Sequence, residues 1–156
     1  MSFDQAAVNT LFDKVQSHAL ALGVFETVNN HEPKSAPGNG IRAALWVQDI
    51  RPIGRASGLA ATSGVVTLNV RVYSSFLQQP YDDIDPNILT AVTTLLGAYT
   101  GDFDFGASVR NVDLLGMYGA GMGAQAGYLT QDSKVYRIMT VTLPVVINDL
   151  WAQEGS

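Results

Sequence analysis

"GYLTQDSKVYRIMTVTLPVVI", residues 127–147, decides the fold, because it settles what the glycine-rich segment before it can be. Two runs rich in β-branched and aromatic residues flank the pair Asp132–Ser133, which is the pattern of a β-hairpin. The second run is apolar on both faces, as a central strand covered on each side should be. Pro144 has no backbone donor and is expected to interrupt the ladder near that strand's end. Just upstream, "LLGMYGAGMGAQAGY" (114–128) places four glycines between positions 116 and 123, and Gly119, Gly121 and Ala124 satisfy the G-x-G-x-x-G/A form of a dinucleotide-binding turn. That fingerprint needs its glycines to open a helix whose N-terminus receives the pyrophosphate. A strand follows instead, so nucleotide binding is not expected. What remains is bare backbone at Gly116, Gly119, Gly121 and Gly123, interleaved with the adaptable apolar side chains of Met117, Tyr118 and Met122. Those are the properties of a contact loop, with a mobile tip that meets no partner as the alternative.

Outward from this segment the chain alternates helix and strands. Leu11, Phe12, Val15, Ala19 and Leu22 recur at helical spacing, with Ser2 and Gln5 as a capping box and Gly23 as the stop, so a helix is predicted from about Phe3 to Leu22. A short alternating run, "VFETV", leads into the irregular loop "NNHEPKSAPGNG". "IRAALWVQDIRPI" and "GVVTLNVRVYSS" read as strands, the second with Val66, Leu68, Val70 and Val72 alternating against Thr67, Asn69, Arg71 and Tyr73. "GRASGLAATSG" between them reads as a long hairpin connection, able to extend beyond the body of the domain, with a floppy surface loop as the alternative. A second helix is predicted with Asp85 as N-cap, Pro86 in first position and a buried stripe of Ile88, Leu89, Val92, Leu95, Leu96 and Tyr99. The order of helix, three strands, helix, three strands predicts a single α+β domain over 1–156, with a mainly antiparallel sheet of about five to six strands flanked by two helices, a long β-hairpin and contact loops.

Composition points to association. Charged residues make up 15% of the chain and hydrophobic ones 47%, against about 25% charged in a typical soluble domain. Either much of the surface is hidden against partners, or Ser, Thr, Asn, Gln and Gly clothe it; the first is the favoured reading. A net charge of −5 argues against a broad positive field for nucleic acid. The absence of cysteine removes disulfides, thiolate zinc sites and cysteine nucleophiles. No basic leader or long apolar run is present, so a soluble protein that stays where it is made, with no membrane partner, is expected.

Candidate chemistry is sparse. His18 falls on the border of the first helix's apolar stripe with no second ligand at helical spacing, so a packed or boundary histidine is expected. With His31 also in a weak setting a histidine triad has little material, and no P-loop, H-E-x-x-H or G-x-S-x-G pattern occurs. Asp82, Asp83 and Asp85 are what the positive end of a helix favours. Asp102 and Asp104, in "GDFDF", read as a solvated turn with its phenylalanines inward, since a cation site needs several more oxygen ligands. No catalytic, cofactor-binding or metal-binding residue is assigned.

The stretches "HEPKSAPGNG", "AALWVQDIRPI", "ASGLAATSG", "NVRVYSSFLQQP", "DIDPNIL", "VRNVDLLG" and "GYLTQDSKVYRIMTVTLPVVINDLW" together resemble the tail terminator proteins of long-tailed bacteriophages, especially those infecting actinobacteria. The resemblance implies a virion protein, one subunit of a homo-hexameric ring that caps the tail tube protein, ends tail polymerisation and docks the neck or head–tail connector protein. It also implies a sheet flanked by helices with loops reaching neighbouring subunits. Under it, Arg55, Leu59, Met117, Tyr118, Gly119, Gly121 and Met122 are expected to contact adjacent subunits or the tube. The stretch from Val72 to Val109 carries five acids and no Lys or Arg. Part of it, with Asp82, Asp83, Asp102 and Asp104 as candidates, is therefore expected to face the channel through which genomic DNA passes without specific binding. A neck or connector protein, a minor tail protein, or a small cation-dependent binding protein or enzyme are the competing readings.

Overall fold

A computed structural model describes residues 5–30, 40–53, 61–75, 84–105 and 109–152. The fold is α+β: helix α1 (Gln5–Ala21), strands β1 (Val28–Asn29), β2 (Ile41–Pro52) and β3 (Ala61–Ser75), helix α2 (Ile84–Gly101), and strands β4 (Asn111–Val112), β5 (Gly123–Gln131) and β6 (Lys134–Ala152). The sheet runs β1-β2-β3-β6-β4, and β5 also pairs with β6. All pairings are antiparallel except β1 with β2.

Both helices form where the apolar spacing puts them. Leu11, Val15 and Ala19 of α1 are buried, and Gly23, at φ +69°, closes the helix with its N–H on the Leu20 carbonyl. Helix α2 begins at Ile84, so Asp85 lies inside its first turn rather than capping it. Pro86 is tolerated there because the first N–H groups of a helix have no partner anyway. The buried stripe is Ile84, Ile88, Ala91, Val92, Leu95 and Tyr99. Leu89 is 55% exposed, because one residue past Ile88 lies about 100° round the helix from the seam.

Strand β6 carries the architecture. Val141, Leu143, Val145 and Ile147 join Val66, Leu68, Val70 and Val72 of β3 under the two helices. Tyr136 and Ile138, with Ala44 and Tyr73, form a second cluster, and Val146 with Val65 and Ile53 a third. Each large side chain so buried contributes about 1.5–3 kcal/mol. The strand does not break near Pro144 but continues to Ala152. Pro144 keeps its place opposite Thr67, and its carbonyl accepts the Asp113 N–H at 2.9 Å, so its nitrogen faces the β4 side. On that side β5 begins, at Gly123, opposite Thr142 and β4 ends, at Val112, opposite Val145, so the missing donor falls between two strands and spares the β3 ladder.

The β5–β6 hairpin closes through Asp132 and Ser133, both at positive φ (51° and 62°), the conformation of a two-residue primed turn. Two predicted strands shrink to two-residue bridges, β1 and β4. In the "GDFDF" turn only Phe105 points inward, fully buried at φ 48°; Phe103 is exposed.

Tyr99 anchors α2 to α1, its hydroxyl donating to the Val15 carbonyl at 3.3 Å and its ring meeting Phe105 edge-on. Burial pushes its phenol well above the ordinary value, so it stays a neutral donor. Tyr99→Phe is expected to lower unfolding free energy by about 1 kcal/mol, read by chemical denaturation. An unchanged midpoint would show that the bond contributes nothing.

Candidate functional site

The segment from Asp113 to Met122 is a closed turn built around one carboxylate. Asp113 is 4% exposed. Its Oδ1 accepts the N–H groups of Gly116 (3.2 Å) and Met117 (2.7 Å), and its Oδ2 accepts that of Tyr118 (2.9 Å). Its own N–H bonds to Pro144 and its carbonyl accepts from Met122 at 3.1 Å. Successive backbone N–H groups of this kind form an anion-binding nest. Here the chain's own carboxylate fills it, where a phosphate would sit in a nucleotide loop, and the loop runs on into β5 rather than a helix.

The glycines serve that closure. A Cβ on Gly116, which stands at φ +85°, would lie 2.7 Å from the Gly119 carbonyl oxygen. One on Gly121 would meet Gly116 N at 2.7 Å and Leu114 O at 2.8 Å. Gly119, at φ +149°, lies against the Arg51 guanidinium of β2. The close approach that glycine permits is therefore of the loop to itself and to β2.

Held on this turn, Leu115 is 99% exposed and Met117 68%. Together with Phe103, Arg110 and Val112 they line an open, mainly apolar groove of about 520 Å³. Tyr118 is half-buried against Ile53, Val65 and Val146, and Met122 against the main core. Of the expected contact residues, then, Met117 presents its side chain outward, whereas Tyr118 and Met122 pack inward. Arg55 and Leu59, like Asp82, Asp83 and His31, lie outside the described residues.

Asp102 pairs with His18 of α1 at 2.8 Å, and the imidazole packs against Tyr99 and Phe105. Asp104 is half-buried in the following turn, its carbonyl accepting the Val109 N–H. Among the described residues no group of three or more His, Cys, Asp or Glu is placed to hold a metal ion, and no helix is long and apolar enough to cross a membrane. Asp113 and Leu115 were not singled out by sequence reasoning. The available signal was an aspartate three residues before a glycine, a residue type that readily bonds the backbone ahead of it.

No protein-family model matches the chain, and none of the curated proteins matches it. Among solved structures, a chain of the particle described as "Virion of native gene transfer agent (GTA) particle" is similar at 14% identity and a TM-score of 0.43, over 92% of this chain and 98% of that one. The site is therefore described by its own geometry: an apolar surface mounted on a turn closed by three hydrogen bonds to one buried carboxylate.

Proposed function

We propose that the chain is a structural virion protein without catalytic activity, a subunit of a ring that caps the tail tube, ends its polymerisation and offers a docking surface to the neck. The observation that carries this reading is the side chain of Leu115, 99% exposed on a turn pinned by a buried carboxylate. An apolar side chain exposed on a hydrogen-bonded turn gains when it is covered, and the backbone ordering that opposes that gain is small because the turn is already closed. Low overall charge and the sequence resemblance to tail terminators point the same way. In this role Leu115, Met117 and Phe103 contact the adjacent subunit or the tube, together with Arg55 and Leu59. Asp82, Asp83, Asp102 and Asp104 keep the channel free of positive charge, so that DNA slides through without being held.

The test is Leu115→Asp combined with Met117→Asp. Both side chains are exposed, so thermal stability should change by less than about 0.5 kcal/mol. Ring formation on purified tubes, read by native mass spectrometry and by tail length in electron micrographs, should be lost, with tails growing beyond their normal length. Normal capping by a folded double variant would overturn the reading.

A further inference from the structure

Strand β5 pairs with β6 and, among the described residues, with no other strand. Its residues are exposed or half-exposed along its whole length. Sheet edges in natural proteins usually carry charges, a proline or a bulge that discourages a further strand. On the far side of the sheet, β2 beyond its pairing with β1 carries Asp49 and Pro52, and a register shift between Val47 and Asp49. Strand β5, "GAQAGYLTQ", has none of these, and its register with β6 is unbroken from Gly123↔Thr142 to Gln131↔Lys134.

We propose that this edge docks the β5 strand of a second copy of the chain, antiparallel, about a two-fold axis at Gly127. Gln131 and Lys134 flank a two-residue turn and so form a hydrogen-bonded pair. By alternation Leu129, Gly127, Gln125 and Gly123 direct their backbone groups toward β6. Strand β6 agrees: Pro144 and Val146, in step with Lys134, turn their carbonyls to this same side, where the N–H groups of Asp113 and Arg110 meet them. Ala124, Ala126, Tyr128 and Thr130 therefore direct theirs outward, and this row is symmetric about Gly127. A two-fold axis there sets Ala126 against Tyr128 of the second copy and Ala124 against Thr130 of the second copy.

The side chains are complementary in the same register. Gly123, Ala124, Ala126 and Gly127 make one half of the strand small, while Tyr128, Leu129, Thr130 and Gln131 make the other half large. Antiparallel self-pairing lays small against large at Gly123 with Gln131, Ala124 with Thr130 and Ala126 with Tyr128, and sets Gln125 opposite Leu129. Gly127 meets itself at a non-hydrogen-bonded position, where opposed Cα atoms come within about 4.5 Å. This contact is separate from the Leu115 surface and does not rest on the virion reading.

The chain has no cysteine, so Gly127→Cys introduces a single thiol. A Cβ there meets only the Ile138 side chain, at 3.6 and 3.8 Å, which is ordinary contact. On mild oxidation of the full chain, Gly127→Cys should give mostly disulfide-linked dimer on a non-reducing gel. Ala124→Cys, whose partner in this register is Thr130, should give roughly tenfold less, because its thiols lie beyond disulfide reach of one another. Adding Ala126→Pro to Gly127→Cys removes an outward donor and leaves the β6 ladder whole, so cross-linking should disappear while the thermal transition remains. If Gly127→Cys links no better than Ala124→Cys, the proposal fails, whether or not Ala126→Pro folds. A ring whose Gly127→Cys thiols stay free would overturn this contact and leave the virion role standing; a linked dimer that never caps tubes would do the reverse.

Discussion

Asp113→Ala is expected to lower the unfolding free energy by about 3 kcal/mol, because it strands the N–H groups of Gly116, Met117 and Tyr118 in a part-buried turn. For a chain of 156 residues that corresponds to a fall of roughly 10 °C in the melting midpoint. The bonds are charge-assisted and share one acceptor group, so their loss is not the sum of separate terms, and water reaching the opened loop returns part of it. Asp113→Asn keeps one carbonyl oxygen in place and should cost about half as much, since the charge and one acceptor are gone. Hydrogen exchange at the three amides should rise in both variants, more in the alanine one. If Asp113→Ala melts within about 0.5 kcal/mol of the parent, below the range expected for a lost buried network, the carboxylate does not hold the loop. Under the proposed role the same variant tests whether the closed turn matters to association: with Leu115 unchanged but its support removed, capping should weaken because the loop must now be ordered on binding.

What could be read in the residues was the part ruled by periodicity. The alternation of Val66, Leu68, Val70 and Val72 and the helical spacing of Leu11, Val15 and Ala19 fix which face meets the core, and all of these are buried. The Asp132–Ser133 turn was legible because few residue pairs suit a two-residue hairpin. Leu89 was misplaced for the same physical reason that Ile88 was not: adjacent helical residues diverge by about 100°, and hydrophobicity alone does not say which of two neighbours faces inward. Phe103 and Phe105 pose that problem in a turn, where no period applies. Pro144 was misjudged because its cost depends on which side of β6 its nitrogen faces, a property of the pairing strands and absent from local composition. Asp113 stayed hidden because an aspartate that closes a nest and one that decorates a loop are the same letter. The glycines were recognised as a demand for bare backbone, but only the fold shows that the surface approached is the loop itself.

Three glycine-to-alanine changes should separate the two reasons a chain uses glycine, and the largest effect should fall at Gly116. At Gly23, φ is +69° and nothing lies within 4 Å of a built Cβ, so only the backbone conformation is penalised, by about 1 kcal/mol. At Gly121 the added methyl would meet the Gly116 nitrogen, the Leu114 oxygen and the Leu115 carbonyl carbon at 2.7–2.9 Å. These are backbone atoms that cannot swing aside, so about 2–3 kcal/mol is expected from overpacking. Gly116 combines φ +85° with a contact of 2.7 Å to the Gly119 oxygen, and its alanine variant should lose about 3–4 kcal/mol. Gly127→Ala, with ordinary contacts only, is the control and should be near neutral in the monomer. Because the methyl groups at 116 and 121 would each push against the other residue's backbone, one displacement of the loop relieves both. The double variant should therefore cost clearly less than the two single losses combined. Denaturant midpoints at constant m-value would read the series. An order in which Gly23→Ala is worse than Gly116→Ala would mean that the turn is open rather than closed on its own backbone, and the rigid mounting of Leu115 would go with it.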